Sequence, residues 1–514
     1  MLKLLDCTLR DGGYYTNWDF DQNLIVDYAK SMEELPIDYI EVGYRSIPLK
    51  GYFGKYFYCP IYVLKQLKSL MPSKKLVIIL NEKDIRPEHL EELLTPIKPY
   101  ITLVRIAIDP KNFERAVDLA KAVKAMSFEV AFNVMYMSNW KKDPSFLELL
   151  KGLDETLDYF YMVDSFGGVL PNEVRELTQL VKSKTNVSIG FHSHDNLSMG
   201  LINTITALEH GCDIVDATIT GMGRGAGNLK TELLLTYLES QNKIELNFNS
   251  LVRVVFEFEE LRKIHGWGTS LPYMFSGSHS LPQKDVMDWV SKRTYSLNSI
   301  IQALFNKKEN IDDNISKISK FIPDSLKRQA VIIGGGPNAK IHSEAVKEFI
   351  NLRNENTCII HSSAKNAIYY KNIDVKQYFC LVGNEGHRLN RVFNENLKDI
   401  VHKCILPSFP RRMGTYIPNQ VKNRSYELDR LNFSDDYIDS HFAIALQTCI
   451  QLGCKDVFLV GFDGYNNNIS NNEIELADEN NYLIEKFKDT DINLISLTET
   501  KYNINVKSLY EFLK

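Results

Sequence analysis

One alternation constrains the fold more than any other feature of the chain. From residue 2 to about residue 235, short apolar runs and longer amphipathic stretches trade places eight times. The runs are Leu2–Asp6, Tyr39–Val42, Leu76–Leu80, Thr102–Ile108, Val130–Tyr136, Tyr159–Asp164, Ser188–His192 and Ile214–Ile219. Stretches between them, such as Asn112–Met126 and Asn196–His210, carry helical spacing. Strands that alternate with helices pair in parallel, because each helix serves as a crossover. Eight repeats in about 220 residues predict a closed (β/α)8 barrel. An open doubly wound sheet is the other fold this pattern permits.

A chain of 514 residues exceeds one ordinary domain. The barrel accounts for residues 1–240. Residues 241–325 are rich in helix formers, as in Leu251–Ile264 and Leu297–Phe321, and read as a helical extension and connector. Within them, the Gly- and aromatic-bearing piece His265–Tyr273 is expected to fold back toward the barrel mouth. Residues 326–514 read as a smaller open α/β domain of Rossmann type. Its strands are predicted at Ala330–Ile333, Thr357–His361, Tyr378–Val382 and Asp456–Val460, and the acidic, Asn-rich stretch Asn466–Asn481 is predicted to be a surface loop or lid. The fold class is therefore α/β throughout.

The charge balance argues against some partners. A net charge of −5 spread over this length points to no nucleic acid. No run of about 18 apolar residues exists, so no membrane span is expected. The eight cysteines show no CxxC pair and read as reduced thiols. The start meets Lys3 and Asp6 too soon for a signal peptide, so a cytoplasmic location is expected.

Barrel active sites lie at the C-terminal ends of the strands. Polar residues gather there: Arg10 and Asp11 after the first strand, Glu41 on the second, Arg105 on the fourth, Asn133 and Tyr136 on the fifth, Asp164 and Ser165 on the sixth. His192 and His194 end the seventh. Their spacing of two places both imidazoles on one face of a strand. With a carboxylate from Asp11 they make a set of two His and one carboxylate, which leaves positions open for substrate oxygens. Such ligands suit Mg, Mn, Co or Zn. Arg10, beside the carboxylate, would face developing negative charge. The glycine-rich loop 221–227 reads as a phosphate cradle or, in our preferred reading, as backbone that passes close to the metal and presents Asn228.

Taken together, Thr8-Leu9-Arg10-Asp11-Gly12, His192-x-His194 and Gly221-x-Gly223-x-Gly225-Ala226-Gly227-Asn228 resemble the DRE-TIM metallolyase superfamily. That group includes 4-hydroxy-2-oxovalerate aldolase and 3-hydroxy-3-methylglutaryl-CoA lyase. The resemblance implies a divalent ion, Mn or Mg first and Co or Zn next, on Asp11, His192 and His194 with Asn228. It implies that Arg10 stabilises an enolate, and that Ser165 belongs to the aldolase branch's Asp-Ser-x-Gly. Two departures matter. The Claisen-type synthases carry Glu-Gln where this chain has Gly13-Tyr14, and the aldolases place a general-base His where Tyr14 stands. An ordinary phenol ionises near pH 10, so Tyr14 needs help to act as a base.

In the second domain, Gly334-Gly335-Gly336-Pro337-Asn338 follows a strand and precedes a helix, as phosphate-binding turns do. Asp463 lies just past another strand, on the side where open sheets bind ligands. The two features loosely resemble sialyltransferase-like glycosyltransferases and 6-hydroxymethylpterin diphosphokinase-like domains. This resemblance implies a nucleotide or nucleotide sugar held near Gly334, Gly335, Gly336, Asn338 and Asp463. His361, Ser362, Ser363 and Asn384 are expected to line the same cleft. His441 reads as a candidate base or as a structural histidine.

The whole reads as a lyase that joins or splits a 2-oxo acid and an aldehyde, in a homo-oligomer, in the setting of surface-polysaccharide or nucleotide-sugar synthesis. An acyl-CoA-condensing transferase and a non-catalytic metal-binding scaffold are the alternatives.

Overall fold

The eight apolar runs lie side by side in the computed structural model, all parallel, and the eighth returns to the first to close a barrel. The structure describes residues 2–513 apart from 143, 292–296, 311–317, 384, 394–396, 410, 412–414 and 466–470. The barrel strands are β1 (Lys3–Asp6), β2 (Tyr39–Tyr44), β3 (Lys75–Asn81), β4 (Ile101–Ile108), β5 (Glu129–Val134), β6 (Tyr159–Asp164), β7 (Ser188–Ser193) and β8 (Ile214–Ala217). The closed order decides against the open sheet.

Side chains alternate across each strand, so every second residue points inward. The deeper inward layer is apolar and aromatic: Leu5, Tyr39, Leu103, Tyr159 and Ile214 pack together in the barrel interior. Two residues further along, the same faces carry Glu41, Arg105, Tyr161 and Asp216, with Cys7 just past the end of β1, all buried. Gly190 keeps the stack possible: a Cβ there would lie 2.5 Å from the Tyr161 ring. The outward faces of the strands join the surrounding helices in the large apolar core.

The chain forms two compact units, Met1–Asp288 and Trp289–Lys514. The first takes in the helices Phe248–His265 and Leu271–Ser278, so much of the stretch read as a connector belongs to the barrel's own unit. The piece between these helices docks on the barrel's C-terminal loops. Trp267 Nε1 donates to the Thr220 carbonyl at 3.1 Å, and Thr269 Oγ1 to that of Asn196 at 2.8 Å.

The second unit is built on eight parallel strands: β9 (Gln329–Ile333), β10 (Thr357–His361), β11 (Gln377–Cys380), β12 (Lys403–Leu406), β13 (Ser425–Glu427), β14 (Asp456–Val460), β15 (Asn493–Ser496) and β16 (Asn505–Val506). Their order is β13-β12-β11-β10-β9-β14-β15-β16, so the winding reverses between β9 and β14. The stretch expected to be a loop or lid is corrected: Asn471–Phe487 is a helix, and it buries Leu483, Ile484 and Phe487 against the sheet's core. Its polar, Asn-rich N-terminal half masked the apolar spacing of its last two turns. Residues 466–470 of that stretch, and Asn384, lie outside the described residues.

All eight cysteines are buried and unpaired. No helix among the described residues is long and apolar enough to cross a membrane.

Candidate active site

A helix, Thr8–Thr16, starts one residue after β1. The Asp6 carboxylate accepts the Thr8 amide at 2.9 Å, the Tyr28 hydroxyl at 2.7 Å and the Thr231 hydroxyl at 2.9 Å, which anchors the junction. The first turn therefore delivers Arg10 and Asp11 straight onto the barrel mouth. Trp18 Nε1 pins this turn by donating to the Arg10 carbonyl at 2.9 Å.

A closed circuit of charged groups lies beneath them. Arg10 pairs with Asp11, and its Nε donates to Glu41 Oε2 at 2.7 Å. The same Glu41 oxygen accepts Arg105 Nη1 at 3.2 Å. Arg105 Nη2 donates to Asp216 Oδ2 at 2.6 Å, and that oxygen also takes His192 Nδ1 at 2.8 Å. His192 Nε2 closes the loop, 3.6 Å from Asp11 Oδ2. Arg105 is fully buried, lies over the Tyr161 ring at 4.1 Å, and spends its Nε on Asn133 Oδ1 at 2.7 Å. Buried charges persist only when paired in this way.

Both histidines are oriented from behind. His194 Nδ1 bonds the Asp164 carbonyl at 2.8 Å, as His192 Nδ1 bonds Asp216. An acceptor at Nδ1 places the proton there and leaves the Nε2 lone pair free, which is how metal-binding imidazoles are commonly held. Burial drives His192 well below its usual pKa and lowers His194 too, against the pull of Asp11, so both rings are neutral at neutral pH. Burial also raises the Asp11 carboxyl, but the Arg10 guanidinium, helped by the Asn228 hydrogen bond, holds it below its usual value. Asn228 Nδ2 donates to Asp11 Oδ2 at 2.6 Å, while Asn228 Oδ1 is buried with no hydrogen-bond partner. An orphaned amide oxygen, a carboxylate and two lone-pair nitrogens make a donor set whose chemistry fits a divalent cation.

Among the described residues, the trio of acid, cysteine and histidine groups whose ligand atoms all lie within 4.8 Å of one another is Cys7, His192 and Asp216, not Asp11, His192 and His194. Its chemistry fits worse. Burial pushes the Cys7 thiol well above its usual value, and Asp216 Oδ2 is already taken by Arg105 and His192.

The circuit opens into a cleft of about 1170 Å³ that Arg10, Asp11, Tyr14, Ser165, His192 and His194 all line. Tyr14 is 36% exposed, and its hydroxyl lies 3.1 Å from that of Tyr44. Ser165 Oγ accepts the Tyr136 amide at 2.8 Å and so holds the β5 loop. Burial raises Asp164 to about 7 against three backbone amides that favour its ionised form, those of Val169, Gly168 and Gly167.

Sequence reasoning named Arg105 and Glu41 only as strand-end residues and missed Asp216 and Tyr44. The signal for Asp216 was present: one acid inside Ile214-Val215-Asp216-Ala217, an otherwise apolar barrel strand.

In the second unit, the Gly334–Gly336 turn and Asp463 meet at the ends of β9 and β14, where the winding reverses. Asp463 Oδ2 accepts the Asn338 amide at 3.0 Å. The Gly334 and Gly336 amides bond Val460 and Gly461 carbonyls, and Asn366 Nδ2 holds the Gly334 and Gly336 carbonyls at 3.0 Å each. Three amides of the turn are thus in use within the chain. His361 is a core residue: its Nε2 bonds Gln377 Oε1 at 2.8 Å and its ring stacks on Phe379. Ser363 Oγ accepts Arg388 at 3.1 Å. His441 opens the helix His441–Gln451 with its Nε2 enclosed and unbonded.

Comparison with known proteins places this geometry. Residues 104–265 match the HMGL-like family model. The chain is 57% identical to the N-terminal domain of a candidate aldolase from Bacteroides vulgatus, with a TM-score of 0.56, over 59% of this chain and all of that one. It is 25% identical over 242 residues to the oxaloacetate decarboxylase of Mycobacterium tuberculosis, covering 47% of this chain and 71% of the relative. The 4-hydroxy-2-oxovalerate aldolase of Geobacillus thermodenitrificans is 28% identical over 242 residues, 46% of this chain and 69% of the relative. The chain therefore carries an HMGL-like domain of the DRE-TIM superfamily, built on its closed eight-stranded barrel.

Proposed function

We propose that the barrel unit is a divalent-metal-dependent carbon–carbon lyase acting on a 2-oxo acid, with Asp11, His192 and His194 as metal ligands and Asn228 beside them. The observation that carries this reading is the matched pair of imidazoles, each tied at Nδ1 and each lining the cleft beside Asp11's helix turn, with His192 Nε2 3.6 Å from Asp11 Oδ2. When bound, the ion would supply Lewis acidity toward the 2-oxo acid's oxygens.

The chain's own residues do the rest. Arg10 spends Nε on Glu41 and Nη1 on Asp11, and its Nη2 has no partner among the described residues. That N–H is available to the substrate oxygen on which negative charge develops. In cleavage of a 4-hydroxy-2-oxo acid, a base takes the 4-hydroxyl proton and the C3–C4 bond breaks. Its electron pair forms the C2–C3 double bond as the C2 carbonyl pair moves to oxygen, and an aldehyde departs. Tyr14 and Tyr44, hydroxyl to hydroxyl at the cleft wall, form the proton path. C3 then regains a proton to give the 2-oxo acid product.

A second reading has support from the decarboxylase relative and from Tyr14 itself. Loss of carbon dioxide from C3 needs no base to remove a hydroxyl proton, so a phenol in place of an imidazole would cost nothing.

Purified full-length chain, incubated with Mn or Mg, is expected to split 4-hydroxy-2-oxo acids to pyruvate and an aldehyde. Release of carbon dioxide from oxaloacetate without aldehyde turnover would favour the second reading. Neither reaction, under either ion, would refute both.

A further inference from the structure

Within the lyase reading, on which this inference rests, the geometry points to Arg224 as a specificity residue that pairs a second anionic group on the substrate. Arg224 belongs to the loop between β8 and the helix Thr231–Ser240, and it lines the same cleft as Asp11, His192 and His194. Its guanidinium lies 5.4 Å from the centre of the Tyr14 ring, and its charge reaches His194. The residue is half-buried and has no carboxylate partner among the described residues. The other guanidiniums of the cleft do: Arg10 has Asp11 and Glu41, and Arg115 has Glu82.

The loop is built to hold that charge in place. Gly227 N donates to the Arg224 carbonyl at 3.2 Å, and the Tyr15 hydroxyl donates to the Gly225 carbonyl at 2.9 Å. Gly225 has φ 69°, a backbone that a side chain would strain. An arginine fixed at its backbone, half out of water and unpaired, is a ready receptor for a carboxylate or phosphate.

Charge and size agree. In the buried circuit three carboxylates, Asp11, Glu41 and Asp216, face two guanidiniums, Arg10 and Arg105. A divalent ion there leaves one positive charge, which the carboxylate of a 2-oxo acid balances. Arg224 adds another positive charge that this carboxylate does not answer. A cleft of about 1170 Å³ also exceeds what a three-carbon acid fills, since pockets for drug-sized ligands run to roughly 1,000 Å³. The cleft's lining also holds Lys111, in a stretch that brings Asp109 and Glu114 to the same lining.

The test uses the Mn-loaded full chain and calorimetric affinities for four probes: pyruvate, 2-oxopentanoate, 2-oxoglutarate and phosphonopyruvate. One anionic-tailed acid should bind about tenfold or more tighter than 2-oxopentanoate, the worth of a charge-assisted hydrogen bond. The better of the two identifies the tail as carboxylate or phosphate-like. R224M should erase that preference while weakening pyruvate less, and R224K should restore part of it. A preference that survives in R224M, or a wild type that binds pyruvate with no preference, overturns the inference alone. A wild type that binds neither Mn nor any probe overturns the lyase reading with it.

Discussion

Arg105 and His192 share one oxygen. Arg105 Nη2 and His192 Nδ1 both donate to Asp216 Oδ2, at 2.6 and 2.8 Å, so one carboxylate neutralises a buried cation and sets a histidine's tautomer. Asp216→Asn should weaken Mn binding by roughly 10- to 100-fold, the usual cost of losing such an orienting partner. It should also destabilise the barrel by about 3–5 kcal/mol, because Arg105 loses a buried counter-charge. Calorimetric Mn titration and denaturant unfolding would read the two effects. Unchanged Mn affinity would remove Asp216 from the site.

Stripping with a chelator should abolish turnover, and Mn or Mg should restore it. His192→Gln and His194→Gln should each lose Mn affinity while keeping the barrel's far-ultraviolet dichroism. Retained affinity in both variants would refute the ligand assignment.

Tyr14→Phe removes one hydroxyl of the pair with Tyr44. If the pair moves the proton, aldol turnover should fall by about 10²- to 10⁴-fold with Mn affinity unchanged. Decarboxylation of oxaloacetate should fall far less. Equal losses in both reactions would argue that Tyr14 shapes the cleft instead of handling protons.

His361 makes the second unit acid-sensitive. Burial lowers its pKa to about 4, although its bond to Gln377 pulls the other way. The unfolded chain, with an ordinary histidine near 6.5, binds the proton more readily, so stability should be full above pH 6.5 and decline as pH falls toward 4. The total is about 3 kcal/mol, from roughly 1.4 kcal/mol per pH unit. Hydrogen exchange of peptides spanning β9 and β10, at pH 7 and pH 4.5, would show it, and His361→Gln should flatten the difference.

Gly13→Ala would place a Cβ 2.1 Å from the Trp18 ring, whose indole N–H holds the Arg10 carbonyl. Overpacking of this kind costs about 1–3 kcal/mol. A lower thermal midpoint together with weaker Mn binding would show that Trp18 helps to place the helix. An unchanged midpoint would show that the ring can move aside.

The barrel was legible because short, mostly apolar runs recur eight times and most are followed by a stretch of helical period. In the second unit, Gln329–Ile333 and Asp456–Val460 read clearly for the same reason. β13 and β16, with three and two residues, carry too short a pattern to separate from loop. His192 and His194 could be read because both lie on one strand. The Asp216 contact could not, since it joins β7 and β8 and depends on the register between two strands rather than on spacing within one. Arg224 stood in plain view inside a glycine motif, but nothing in the sequence says that it lacks a partner. The Gly334–Gly336 turn has a packing role that the sequence did not display. Glycine there also makes room for Gly461 and Asp463, which lie 2.6 and 2.7 Å from where a Gly336 Cβ would stand.

The single residue, Cys7, between β1 and the helix Thr8–Thr16 sets a rule about length. Each helical residue turns the chain by about 100°. Inserting or deleting one residue between Cys7 and Asp11 would therefore rotate Arg10 and Asp11 out of phase with the barrel mouth, whatever their identities. This segment can accept exchanges of side chain, but its residue count acts as a dial with one working setting.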